Sequence, residues 1–232
     1  MSALEQYAAE AVDPYCIAPD TAATRLGHLP WQRFAVLGDS VAAGIRDPLE
    51  GYRDRSFADR LTEALSATRP RLAAVNVAVP YLTIAEIREQ QLDDVLAFRP
   101  DAVLATAGGN DAFREYDSGR LHAELADLLR PVAEAGATVL TVGLFDLARS
   151  GLIPPEHAGG MARRFDELDR ITATLTRDLG GIHVDSHHHP LAADPGIFAQ
   201  DRIHANARGH AVAFAAIVDA IADSDAGRSA HE

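Results

Sequence analysis

Phe34-Ala35-Val36-Leu37-Gly38-Asp39-Ser40 is the stretch on which the reading of this chain turns. Four apolar residues with no polar alternation read as a strand buried on both faces, as in a parallel sheet. A glycine breaks the run, and Ser40 falls where a short helix would begin. The same pattern of apolar run and break recurs at Leu72 to Val77, Ala102 to Ala107, Thr138 to Val142 and Ile182 to Val184. The five runs are short and rich in Val, Leu and Ala.

Helical spacing fills the intervals. Ser56 followed by Asp59 reads as a capping box opening Phe57 to Leu65, and Thr83 with Glu86 does the same for Ile84 to Leu96. Leu121, Leu125, Leu128 and Leu129 mark a third helix, which Pro131 is expected to kink or end. Met161, Phe165, Leu168, Ile171 and Leu175 mark a fourth, and Asn206 is placed to cap a last one reaching about Ala222. Strand and helix alternate throughout, so the expected architecture is α/β, with parallel strands and helices on both faces. Residues 1–30, with Pro14, Pro19 and Pro30, are expected to form an arm wrapping the surface, residues 31–222 the domain, and residues 223–232 a frayed tail.

The chain of 232 residues has 34 acidic against 21 basic residues, a formal charge of -13. That balance argues against nucleic acid or an anionic membrane surface as partner, and it serves solubility. No apolar stretch approaches the roughly 18 residues that span a bilayer. The start of the chain carries Glu5 and Glu10 without a basic or apolar core, so no secretory signal is expected. One cysteine, Cys16, excludes an internal disulfide. Together these point to a cytoplasmic protein.

Chemistry is carried by three patches. Ser40, after Gly38-Asp39, can expose a hydroxyl beside free backbone N–H groups, or it can simply cap a helix. Asn110, after Gly108-Gly109, ends the third strand; neighbouring strands open at their carboxyl ends into one crevice, so its amide could reach an oxyanion beside Ser40. A plain Gly-Gly-Asn-Asp turn explains the same residues. Asp201 and His204, three apart, can pair as a proton acceptor held by a carboxylate, or lie unconnected at a helix entrance. Asp111 reads as a cap or a supporting partner. His183, His187, His188 and His189 crowd together, yet no second Cys or acidic cluster has ligand spacing and adjacent histidines do not converge easily. No metal and no cofactor is expected. No Gly-rich phosphate fingerprint follows a strand, which disfavours nucleotide binding.

Gly38-Asp39-Ser40, Gly109-Asn110-Asp111 and Asp201-x-x-His204 together resemble the first, third and fifth blocks of the SGNH (GDSL) hydrolases, from about Phe34 to Asp219. The resemblance implies a flavodoxin-like three-layer α/β/α sandwich with a five-stranded parallel sheet. It implies a metal-free serine esterase acting on a small acyl ester, with Ser40 as nucleophile, His204 as base, Asp201 as its orienting partner, and Asn110 and the Ser40 N–H as oxyanion donors. The second block departs from the pattern. Asn76-Val77-Ala78-Val79-Pro80-Tyr81 stands where the family has Asn-x-Gly-x-x-Gly, so Tyr81 replaces the glycine whose N–H completes the oxyanion hole. If that position needs a positive φ, a bulky side chain is strained there. Acyl transfer by the same triad, or a catalytically weak fold that binds an acyl or sugar ligand, are the alternatives.

Overall fold

The computed structural model describes residues 7–114 and 116–229. Strands β1 (Arg33–Gly38), β2 (Ala73–Asn76), β3 (Ala102–Thr106), β4 (Thr138–Val142) and β5 (Ile182–Val184) form one sheet in the order β2-β1-β3-β4-β5. Every pairing is parallel. The chain leaves β1 for one neighbour and returns to start β3 on its other side, so the direction of winding reverses between them. That is the switch point at which an open α/β sheet forms its crevice. This is the three-layer α/β/α fold expected from the sequence.

The helices are α1 (Ala8–Val12), α2 (Pro19–Leu26), α3 (Ser40–Ala43), α4 (Phe57–Thr68), α5 (Ile84–Phe98), α6 (Gly109–Phe113), α7 (Ser118–Glu134), α8 (Pro155–Asp178) and α9 (Ala207–Ser229). One face of the sheet packs on α5, α7 and α8 through residues such as Leu37, Val103, Val139, Ile87, Leu125 and Leu168. The other packs on α2, α4 and α9 through Phe34, Val36, Leu104, Leu61 and Phe214. Both expected capping boxes are present, at Ser56 with Asp59 and at Thr83 with Glu86. Asn206 receives the backbone N–H groups of Arg208 and Gly209 at the head of α9.

Four expectations change. The segment before β1 is not merely an arm. Its helix α2 puts Ala22 and Leu26 fully into the core, and Glu10 of α1 forms a buried bidentate pair with Arg60 of α4 (2.6 and 2.9 Å). Pro131 does not end α7, which continues to Glu134. Proline deletes one donor, but buried Leu128, Leu129 and Val132 hold the flanking turns. Strand β2 is shorter than Leu72 to Val77 and only half-buried, because it lies at the sheet edge. Helix α9 runs past Ala222 to Ser229, through most of the expected tail; the rest, 230–232, lies outside the described residues.

Candidate active site

The turn that carries Ser40 is built by close approach. Gly38 ends β1 at φ 140°, where a Cβ would lie 2.1 Å from the Thr106 carbonyl of β3. No other residue fits there. Gln91 of α5, fully buried, clamps the same glycine: it accepts from the Gly38 N–H (2.8 Å) and donates to the Gly38 carbonyl (2.9 Å). Asp39 then caps α3, accepting from the Val41 N–H at 3.0 Å, and Ser40 becomes the first helical residue. Its own N–H therefore has no acceptor within the helix.

His204 and Asp201 come from a small hairpin before α9, closed by the Phe198–Ala205 bridge and by the Ala199 N–H donating to the His204 carbonyl (2.7 Å). The Ser40 hydroxyl stands 2.8 Å from His204 Nε2, and His204 Nδ1 donates to Asp201 Oδ2 at 2.6 Å. The other Asp201 oxygen accepts from the backbone N–H groups of Ile203 (2.9 Å) and His204 (3.0 Å). Burial opposes the Asp201 charge, but these three hydrogen bonds outweigh it and hold the carboxyl below its ordinary range. The ring thus sits in the tautomer that leaves Nε2 free to take a proton.

Asn110 lies on α6 after β3 and borders the same cleft as Ser40 and His204. One of its amide hydrogens is given to the Leu82 carbonyl (3.0 Å), which fixes the side chain and leaves the second to donate elsewhere. Tyr81 also borders the cleft, with φ 70°, the left-handed region that glycine enters freely. Its backbone has the conformation the sequence made a question, while its ring is 63% exposed at the rim. Asp111 acts as a support: its carboxylate accepts from the Ile84 N–H (3.1 Å) at the head of α5.

Two buried groups at the site were not singled out in the sequence. Burial pushes the Asp39 carboxyl up to about 7, against the pull of the Val41 N–H and the His204 ring. His210 of α9 accepts from the Phe57 N–H (3.1 Å), donates to the Ile45 carbonyl (3.3 Å) and stacks on Phe57. Burial lowers its pKa to about 4, so it is a neutral clip joining α4, α9 and the loop after α3. Gln91 and His210 each had a legible signal, as polar residues on otherwise apolar helix faces.

The clustered histidines go to different partners. His183 lies between Thr141 and Asp169, His187 between the Leu144 carbonyl and Asp166, and His189 packs edge-on against Tyr15. His188 bonds Asp185 at 2.7 Å. With Asp169, that pair forms the one group of described residues whose ligand atoms, within 4.8 Å of each other, could hold an ion. Burial pushes the Cys16 thiol up to about 12, which keeps it unreactive.

The cleft encloses about 260 Å³ between the carboxyl ends of β1, β3, β4 and β5. Its walls are apolar, with Phe57, Phe145, Phe165 and Phe198 inside and Tyr81, Phe113 and Ile203 exposed at the mouth. No helix among the described residues is long and apolar enough to cross a membrane.

A hydroxyl, an imidazole and a carboxylate in series is the arrangement found in hydrolases that work through a serine. The GDSL-like lipase/acylhydrolase family matches residues 36–212, and the chain belongs to it. Solved structures share the fold. The acetylxylan esterase Axe2 from Geobacillus stearothermophilus is 21% identical with a TM-score of 0.65, over 82% of this chain and 94% of that one. The α/β hydrolase LAE5 from the metagenome of Lake Arreo, Spain, is 21% identical with a TM-score of 0.63, over 82% and 96%. TesA is 21% identical with a TM-score of 0.66, over 83% and 99%. No curated protein matches the chain.

Proposed function

We propose that the protein hydrolyses carboxylic esters of apolar acyl groups through an acyl-enzyme on Ser40. His204 Nε2 takes the hydroxyl proton as Ser40 Oγ attacks the acyl carbon, and Asp201 stabilises the imidazolium that results. The tetrahedral oxyanion is received by the Ser40 N–H, the second amide hydrogen of Asn110 and the Tyr81 N–H. Collapse breaks the ester bond, and the alcohol leaves with the proton from His204. Water then repeats the sequence against the acyl-enzyme, releasing the acid and restoring Ser40.

The observation that carries this reading is the hydrogen-bonded series from Ser40 to His204 (2.8 Å) to Asp201 (2.6 Å) at the head of an apolar cleft. The lining favours a hydrocarbon acyl chain over a sugar, because it offers few polar partners for hydroxyl groups. Ser40→Ala is expected to lower turnover of an activated octanoyl ester by on the order of 10⁵-fold or more. A serine-directed phosphonate is expected to label the peptide holding Ser40. Unchanged turnover in the variant, or label mapped elsewhere, rejects the mechanism.

A further inference from the structure

The cleft holds one buried hydroxyl that the hydrolytic mechanism leaves unused. Ser186 is 1% exposed and lines the cleft, and its hydroxyl has no hydrogen-bond partner among the described residues. A buried hydroxyl left without a partner is destabilising, so such a group usually meets a ligand or an ordered water. The other buried hydroxyl in this condition, Thr106 Oγ1, does not border the cleft. The polar groups of His210 and Asp39 nearby are already engaged with backbone.

The register of the sheet places Ser186 relative to Ser40. Val36 pairs with Leu104, Leu104 with Leu140, and Leu140 with Ile182, so these four residues form one row across the sheet. Ser40 and Ser186 each follow that row by four residues, two past the ends of β1 and β5. The strands that deliver them are three spacings apart, about 14 Å at about 4.8 Å each. The cleft volume of about 260 Å³ holds roughly nine heavy atoms at about 30 Å³ for each water-sized group. Nine atoms in an extended chain advance about 10 Å, given carbon–carbon bonds of about 1.5 Å in zigzag. A covalent link to Ser40 and a hydrogen bond of about 2.8 Å cover the rest.

We propose that the cleft selects a medium-length acyl chain of about eight carbons that carries a hydroxyl near its far end, and that Ser186 receives that hydroxyl. This rests on the ester-hydrolase reading and adds a substrate class to it. Ser186 is then a specificity residue, distant from the reacting bond. The apolar walls contribute equally to plain and hydroxylated chains, so the distinction falls on this one contact. A site with a buried polar group favours the substrate that pairs with it, because the plain analogue leaves that group unpaired.

The test compares kcat/KM for an octanoyl ester and for its 3-, 6-, 7- and 8-hydroxy analogues, in the parent and in Ser186→Ala. In the parent, one of the distal hydroxyl positions is expected to exceed the plain ester by about tenfold, and the 3-hydroxy ester is not. In Ser186→Ala that ratio is expected to fall to about one. A ratio unchanged by the substitution, or a parent with no preference for any distal position, overturns the proposal while the plain ester still reports a working hydrolase. Failure to turn over the plain octanoyl ester overturns the hydrolase reading, and this inference with it.

Discussion

Asp39 offers a stability experiment whose sign is set by burial. Its carboxyl is pushed up to about 7 in the folded chain, against an ordinary value of 3.8. The folded state therefore binds a proton that the unfolded state has released over the range between those values. A carboxyl with a raised folded pKa contributes stability that is fully present below about pH 4 and is lost as pH rises through about 7. A separation of about three, at about 1.4 kcal/mol each, sets an upper scale of about 4 kcal/mol. Between pH 5 and 8 the expected loss is about 2.5 kcal/mol. Asp39→Asn keeps an oxygen for the Val41 N–H but does not titrate in this range. Urea unfolding of parent and variant at pH 5 and pH 8 isolates the difference, because every other titrating group is common to both. The parent is expected to lose about 2.5 kcal/mol more than the variant over that interval. Parallel pH dependence in the two proteins refutes the argument that burial holds Asp39 protonated.

Three further outcomes are open to measurement. Asp201→Asn is expected to reduce kcat by on the order of 10³-fold, with KM changed little, because His204 loses the partner that fixes its tautomer; steady-state rates equal to the parent's would exclude the orienting role. Tyr81→Gly removes left-handed strain of roughly 1 kcal/mol that Tyr81→Ala retains in part, so calorimetry is expected to show the glycine variant melting a few degrees above the alanine one, and identical melting temperatures would contradict a strained Tyr81. Glu10→Ala leaves the Arg60 guanidinium buried without its counter-charge and is expected to destabilise by about 3–5 kcal/mol; a urea midpoint at the parent's value would show that the pair does not hold α1 to α4.

What the sequence made legible follows from the range of the interactions. Local patterns announced their elements: both capping boxes, the Asn206 cap, and the glycine at the end of β1. The three patches that met in the crevice were marked by residues whose chemistry and backbone demands are unusual together. Information that depends on strand order was not legible, since nothing in Leu72 to Val77 says that it borders solvent on one side. The three prolines before β1 suggested a surface path, although Pro19 opens α2 and the spacing of Ala22, Ala23 and Leu26 already marks a packed face. Gln91 and His210 stood out only as polar residues on apolar helix faces, and their roles were not legible because the partners that make them necessary lie 53 and 153 residues away in sequence.

The hairpin before α9 supplies both the imidazole and its carboxylate, so the two form a local cassette whose internal alignment is fixed within four residues. Only one distance, from that cassette to the hydroxyl on the opposite element, must be set by tertiary packing. In the proposed mechanism, a rigid shift of the hairpin would therefore interrupt proton transfer without dismantling the pair assigned to it. Loss of activity on mild perturbation is expected to reverse as soon as the hairpin is seated again.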